Sequence, residues 1–135
     1  MDQLGIGFVA YSPLGRGFIT GTAEPAGQYE ATEIRNVDPR RQPGNFEKNI
    51  EAVDRLAEIA AAKGATVSQL ALAWLLTRGE HIVPIPGTRS PKRIQENVGA
   101  AGLTLTDTGL KAIDEILPHG GFGARCTEGH VPTWI

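Results

Sequence analysis

The chain has 135 residues, of which 41% are apolar and 21% charged, and its formal net charge is −2. This length fits one domain, the apolar share is sufficient for a globular core, and the balanced charge argues against nucleic-acid and anionic-membrane partners. The single cysteine, Cys126, excludes an intramolecular disulfide and favours a reducing compartment. The sequence contains neither a signal-peptide pattern nor an apolar run near the ~20 residues that span a bilayer, so we expect a cytoplasmic protein.

The first predicted element is a strand over residues 6–11, a continuous apolar run rich in β-forming residues. Such a run is typical of a strand buried on both faces. The letters G-x-G-x-x-A at residues 5–10 match a dinucleotide fingerprint, but the glycines precede the strand, so we reject the match. Residues 14–44 have little periodicity, and a structureless connection of that length is usually a functional lid or a mobile segment.

Two helices are predicted next. Asn45 is the expected N-cap of the first, whose apolar residues keep helical spacing until Gly64. Thr66 and Gln69 match a capping box, which opens a second helix that runs to Thr77. Because this second helix is apolar on several faces, we expect it to be buried.

A short apolar strand at residues 82–85 follows the second helix, and Ser90 is the expected N-cap of a third helix that begins at Pro91 and runs to about Val98. Thr106 is expected to cap a last helix. We therefore divide the chain into a domain at residues 1–117 and an irregular tail at residues 118–135.

Strands that alternate with helices predict an α/β fold with parallel βαβ units. Two short buried strands cannot form a sheet that covers itself, because sheets usually hold about four to six strands. The chain is therefore expected to be a piece of a larger barrel or sheet, or to complete its sheet with another chain.

The turn after the second strand has the residues of an anion site. Gly87 lets a ligand approach the backbone closely, and free N–H groups at the start of the next helix favour an anion. Phosphate would also be bound by the Thr88 hydroxyl and by the guanidinium of Arg89 or Arg93. The alternative is a polar turn with ordinary capping.

Further along this third helix, three polar residues share one side: Arg93, Glu96 and Asn97. An arginine for phosphate beside a carboxylate and an amide for a base edge suits an adenosine phosphate. The alternative is a solvated helix face.

A second candidate site follows the first strand. It consists of an aromatic residue, a hydroxyl, two glycines and an arginine: Tyr11, Ser12, Gly15, Gly17 and Arg16. Backbone N–H groups there could bind phosphate, and the aromatic ring could stack on a planar ligand. The alternative is a buried strand tyrosine before a tight turn, but two such strand ends in one chain favour a ligand site.

Metal chemistry has little support. Cys126 and His130 are spaced like metal ligands and His119 lies near them in sequence, but isolated ligands in a glycine-rich tail are weak evidence. We expect no metal site.

Residues 7–17, followed by residues 85–89 and 93–97, resemble the C-terminal half of an aldo-keto reductase, and the pyridoxal-reductase-like or auxin-induced-like group of that family is most similar. The resemblance covers residues 4–117 and favours the ligand site over both alternatives. It implies an incomplete (β/α)8 TIM barrel of which this chain is the C-terminal portion. It also implies hydride transfer from NADPH to aldehydes or ketones.

The resemblance implies roles for the strand-end residues. Tyr11 would stack on the nicotinamide, while the pyrophosphate side would be held by Ser12, Leu14 and the backbone of Gly15, Arg16 and Gly17.

By the same resemblance, Thr88 and Arg93, with Arg89 as a further candidate, would bind the adenosine 2′-phosphate, and Glu96 and Asn97 would contact the adenine. Several branches of the family carry a lysine where this chain has Gly87, so part of the positive charge must come from Arg89 or Arg93 here.

The family's catalytic Asp, Tyr, Lys and His belong to its first half, so the resemblance implies no catalytic residue in this chain, and Tyr11 is not the proton donor. We expect a truncated reductase that is inactive alone and that needs an N-terminal half, or self-association, to act on a small carbonyl substrate. The alternatives are a non-catalytic nucleotide-binding or oligomerising module and an inert truncated gene product.

Overall fold

A computed structural model describes residues 2–127 of the chain, which form an α/β structure with short 3-10 turns in the connections. Its strands and α-helices lie, in chain order, at β1 (Phe8–Tyr11), α1 (Asn45–Ala61), α2 (Val67–Leu76), β2 (Ile82–Ile85), α3 (Pro91–Gly99) and α4 (Asp107–Ile116). Each strand and helix predicted from the sequence is therefore present, and β1 is shorter than the predicted strand by two residues.

The two strands are parallel neighbours, as the alternation of strands and helices predicts. Phe8 pairs with Ile82 at the start of the ladder, and Tyr11 pairs with Ile85 at its end. Because the strands run in the same direction and finish in register, the chain leaves both at one edge of the sheet. This edge is where the two candidate motifs begin.

The prediction that the first strand is buried on both faces is wrong. The side chains of Val9 and Tyr11 are 58% and 62% exposed, and Val83 on β2 is 54% exposed. Within the part of the chain that the structure describes, the sheet has two strands, so nothing covers much of either face. The apolar pattern is typical of strands with packed neighbours on both faces, and residues 2–127 do not supply those neighbours.

Most of the predicted helix starts are confirmed by their caps. The Thr66 hydroxyl accepts from the backbone N–H of Gln69, whose side chain accepts from the Thr66 N–H, so α2 has the expected capping box. The hydroxyls of Ser90 and Thr106 cap α3 and α4. Local hydrogen-bonding chemistry therefore determined these helix starts.

The start of α1 is displaced by one residue from the prediction. Gly44, with a φ of 85°, is the N-cap, and Asn45 is the first helical residue. The Asn45 amide instead donates to the Pro39 carbonyl, and the Glu47 carboxylate accepts from the Gly44 N–H. The Asn45 side chain, which the sequence suggested as the helix cap, is therefore used in a contact with a residue outside the helix.

The core lies where α1, α2 and α4 meet, and it includes Leu56, Leu70, Ile113 and Ile116. Leu70 is 2% exposed, and buried residues lie along much of α2, as its apolar faces predict. Each such side chain contributes ~1.5–3 kcal/mol through burial. This core fixes the helices that support the two strand ends.

The connection between β1 and α1 is ordered around a buried cation, so the prediction of a structureless connection is wrong. Arg41 is 0% exposed. Its guanidinium donates to the carbonyls of Glu24 and Arg16, at 2.9 and 3.1 Å, and to the Tyr29 hydroxyl at 2.6 Å. These acceptors have no regular spacing in the sequence, which is why periodicity could not reveal the arrangement.

The tail, as far as residue 127, contains no helix or strand. Of the helices between residues 2 and 127, none has the length and apolar character needed to cross a membrane.

Candidate functional site

The carboxyl ends of β1 and β2 open onto the largest group of predicted site residues. Since Tyr11 and Ile85 are partners in the ladder, the segments that follow them leave the sheet side by side. A cavity of about 570 Å³ lies between these segments and α3. Ligand pockets usually measure ~300–1,000 Å³.

Residues from both motifs line this cavity, which we call the strand-end cavity. From the segment after β1 and from the turn and helix after β2 come Ser12, Leu14, Arg16, Gly17, Gly87, Thr88, Arg93 and Asn97. Two segments about 70 residues apart in sequence therefore meet at one surface, as expected for parallel strands in an α/β fold. Their role in binding a cofactor stays a prediction.

Four predicted residues lie outside the lining of the strand-end cavity. Gly15 lines a smaller cavity of about 90 Å³ beside it. Tyr11 stands exposed at the end of β1, and Arg89 is exposed in the turn. The carboxylate of Glu96 accepts a hydrogen bond from the Thr66 hydroxyl at 2.8 Å, which ties it to the start of α2.

The structure adds residues that the sequence analysis missed. The connection after β1 contributes Thr20, Thr22, Tyr29 and Arg35 to the strand-end cavity. The Arg35 guanidinium lies 4.1 Å from the centre of the Tyr29 ring, and a 2.8 Å ion pair joins it to Glu33. The sequence carried no signal for these positions, because the fold of the connection depends on scattered contacts to Arg41.

The charge in the strand-end cavity is positive. Three arginines line it and no acidic residue does. Arg16 pairs with Asp38 at 3.4 Å and Arg35 pairs with Glu33, but within residues 2–127 the Arg93 guanidinium has neither an ion-pair nor a hydrogen-bond partner. An anion in this cavity would therefore meet uncompensated charge at Arg93.

Thr88 is also available to a ligand. Its hydroxyl oxygen accepts from the Ser90 backbone N–H at 3.1 Å, which leaves the O–H free to donate. At Gly87 an added Cβ would meet no atom within 4 Å, and φ there is not positive. The packing of this chain therefore does not require glycine at this position, which leaves room for a ligand close to the backbone.

The start of α3 offers fewer free amides than the sequence implied. Pro91 has no N–H, the Arg93 N–H donates to the Ser90 hydroxyl, and the Ile94 N–H donates to the Ser90 carbonyl. Of the first N–H groups of the helix, that of Lys92 remains free to bind an anion. Anion binding here therefore depends chiefly on the side chains of Thr88 and Arg93.

The segment after β1 has a strained backbone. Ser12 and Arg16 adopt left-handed conformations with φ of 49° and 56°, beside Gly15 at 60° and Gly17 at 81°. Such conformations cost non-glycine residues ~1–2 kcal/mol and occur preferentially at functional sites. Within the described residues the N–H groups of Arg16 and Gly17 have no acceptor, so both are available to an anion.

No group of three or more His, Cys, Asp or Glu side chains between residues 2 and 127 is arranged to hold a metal ion. Cys126 belongs to this region and has a free thiol. His130, the other half of the proposed ligand pair, lies outside the described residues.

Comparison with known proteins points to one family. The model of the aldo/keto reductase family matches residues 1–118. The chain is 42% identical over 125 residues to aldo-keto reductase yakc [NADP(+)] of Schizosaccharomyces pombe, covering 92% of this chain and 37% of the relative. It is 39% identical over 114 residues to aldo-keto reductase str7 of Strobilurus tenacellus, covering 84% and 34%.

A solved structure has the same fold. The glycerol dehydrogenase AKR11B4 of Gluconobacter oxydans superimposes with a TM-score of 0.78 at 30% identity, covering 85% of this chain and 35% of that structure. The two strands and their helices are thus part of a (β/α)8 barrel. The chain spans about a third of the length of the curated relatives that it matches.

Proposed function

The chain belongs to the aldo/keto reductase family, and we propose that it binds the adenosine-phosphate part of NADP(H) within an enzyme that reduces aldehydes or ketones. The observation that carries this proposal is the strand-end cavity, which is lined by the segment after β1, by Thr88 and by Arg93, whose guanidinium is unpaired within residues 2–127. A bound NADPH would supply the hydride. The residues of this chain would bind and orient it.

Arg93 and Thr88 are proposed to bind the 2′-phosphate. A charge-assisted hydrogen bond from a guanidinium is about twice as strong as a neutral one, and Arg93 has no competing partner within residues 2–127. Arg89 is a further candidate, although it does not line the cavity. The name of the Schizosaccharomyces pombe relative includes NADP(+), which supports the same preference in this chain.

The adenine is assigned to Asn97, which lines the cavity. Glu96 was predicted to share this role, but its carboxylate accepts from the Thr66 hydroxyl and it does not line the cavity. The free N–H groups of Arg16 and Gly17 are suited to the pyrophosphate, with Ser12 and Leu14 beside them.

Tyr11 and Gly15 complete the proposed site. Tyr11, exposed at the end of β1, offers an aromatic face for the nicotinamide. Gly15 lines the small neighbouring cavity, next to the Ser12 and Arg16 side chains that line both cavities. The site would thus extend from Arg93 across the segment after β1 to Tyr11.

We propose that this chain does not provide the proton donor. It has two tyrosines. The Tyr29 hydroxyl donates to the Glu24 carbonyl and accepts from Arg41, so it is held by the connection. Tyr11 occupies the proposed nicotinamide position. The catalytic Asp, Tyr, Lys and His would then come from the remainder of a barrel.

The uncovered sheet supports a partner that completes the barrel. Val9, Val83 and Ile85 are each at least half exposed, although their β-strand positions favour burial. Exposed apolar strands favour pairing with further strands. We propose the remaining two thirds of a barrel as that partner, with a second copy of this chain as the alternative.

Nucleotide titration tests the binding part of this proposal. NADPH and NADH are titrated into the full chain, alone and mixed with the N-terminal two thirds of an aldo-keto reductase, and binding is followed by calorimetry. We expect NADPH to bind more tightly than NADH. Failure of both preparations to bind NADPH, with the far-ultraviolet circular dichroism of a folded chain, would contradict the proposal.

Turnover tests the enzymatic part. NADPH absorbance is followed with an aromatic aldehyde, for the chain alone and for the mixture with the N-terminal two thirds of a reductase. We expect oxidation of NADPH in the mixture and none with the chain alone. Binding without turnover in a soluble complex would favour a non-catalytic nucleotide-binding module.

A further inference from the structure

The described tail places a cation on the face of Tyr11. The Arg125 guanidinium lies 4.8 Å from the centre of the Tyr11 ring. The tail reaches this position because Asn49, 5% exposed on α1, pairs with both backbone groups of Phe122: its amide donates to the Phe122 carbonyl and its oxygen accepts from the Phe122 N–H, each at 2.8 Å.

Gly123 continues this anchoring. Its φ is 93°, and an added Cβ would lie 2.9 Å from the Pro39 carbonyl oxygen and 2.8 Å from the Asn45 amide nitrogen. Its carbonyl accepts from the Arg40 side chain at 3.3 Å. The path of the tail two residues before Arg125 therefore depends on a close approach that glycine alone permits.

The surroundings of Arg125 are positive. It lines the small cavity with Arg16, Arg40 and Asp38. Asp38 is already 3.4 Å from Arg16 and 3.9 Å from Arg41, so its charge is shared between two other guanidinium groups. Arg125 therefore brings a cation to the nicotinamide end of the proposed site that no carboxylate in the cavity lining neutralises.

We propose that Arg125 makes the site discriminate between the two redox forms of the nicotinamide cofactor. The oxidised ring is a cation and the reduced ring is neutral, whereas the adenosine and phosphate groups of the two forms are identical. A fixed positive charge beside Tyr11 therefore disfavours the oxidised form alone. This inference rests on the proposed function, since it requires the nicotinamide at Tyr11.

The test compares NADP+ and NADPH affinities in the full chain, in the preparation that binds NADPH. Arg125→Gln should lower the ratio of the NADP+ and NADPH dissociation constants about twofold. The guanidinium lies 4.8 Å from the centre of the Tyr11 ring, and a nicotinamide stacked on the other face would lie ~3.5 Å beyond it, so one unit charge acts at about 8 Å in water. Arg125→Lys keeps the charge and should retain most of the ratio. Lys111→Gln removes a charge from the exposed surface of α4 and should leave the ratio unchanged.

The outcomes distinguish failure of the redox discrimination from failure of the proposed cofactor binding on which it rests. An Arg125→Gln variant that binds both forms with an unchanged ratio would overturn the redox discrimination while the cofactor site stands. Equal tightening of both forms would overturn it too, because Arg125 would then be an obstacle that either ring displaces. Absence of NADPH binding by the parent chain would overturn the proposed function, and the inference with it.

Discussion

Replacing Arg93 by alanine should weaken NADPH binding about 10- to 150-fold and NADH binding less than about threefold. The 2′-phosphate is the group that distinguishes the two cofactors, and charge-assisted hydrogen bonds of this kind are worth ~1.5–3 kcal/mol. The effect is large because Arg93 has no other partner within residues 2–127, and because Pro91 and the Ser90 cap leave few helix amides to replace it. Calorimetric titration with both nucleotides measures the two changes.

Lys92→Ala is the matched control for this prediction. Lys92 precedes Arg93 on α3 and is exposed, but it does not line the strand-end cavity. Its removal should change NADPH affinity less than about threefold, a loss attributable to the general field. An equal loss of NADPH and NADH affinity in Arg93→Ala would contradict the 2′-phosphate assignment and would indicate contact with a group common to both.

The sequence predicted the parts of the fold that depend on local chemistry. Three helix starts could be predicted without tertiary information. In each, a hydroxyl accepts from the backbone N–H three residues further on: those of Thr66, Ser90 and Thr106. The parallel pairing of β1 and β2 followed from alternating element types. It brought the two polar motifs to one edge of the sheet, and the cavity lies at that edge.

The parts that were missed depend on contacts between distant residues. Glu96 accepts a hydrogen bond from Thr66, 30 positions away in sequence, and it does not line the cavity. Asn45 is drawn from its expected capping role by the Pro39 carbonyl. Neither contact could be predicted from sequence periodicity, because each is a single hydrogen bond between two isolated polar groups. The exposed strand faces differ in kind: the apolar pattern predicted the strands correctly, but the predicted burial needs neighbours that residues 2–127 do not supply.

Arg41 is the residue that shapes the connection, and replacing it by methionine should disorder the wall of the strand-end cavity. The variant fills a similar volume but leaves the Arg16 carbonyl without its donor and the Glu24 carbonyl with the Tyr29 hydroxyl as its remaining donor. It also leaves Asp38 with a single cationic neighbour, Arg16. Removing one partner from a buried charged network costs ~3–5 kcal/mol. We expect a loss of that order in the free energy of unfolding, measured in urea.

A local readout separates loss of the connection from loss of the whole fold. Amides in residues 18–44 should exchange with solvent much faster in Arg41→Met, whereas those of α2, behind Leu70, should keep their protection under native conditions. Arg55→Met makes the same substitution at an exposed position on α1 and should change stability by less than ~0.5 kcal/mol. Unchanged exchange in residues 18–44 would show that the connection holds its shape without the buried guanidinium. In that case the left-handed turn at Arg16 would depend on its own glycines, Gly15 and Gly17.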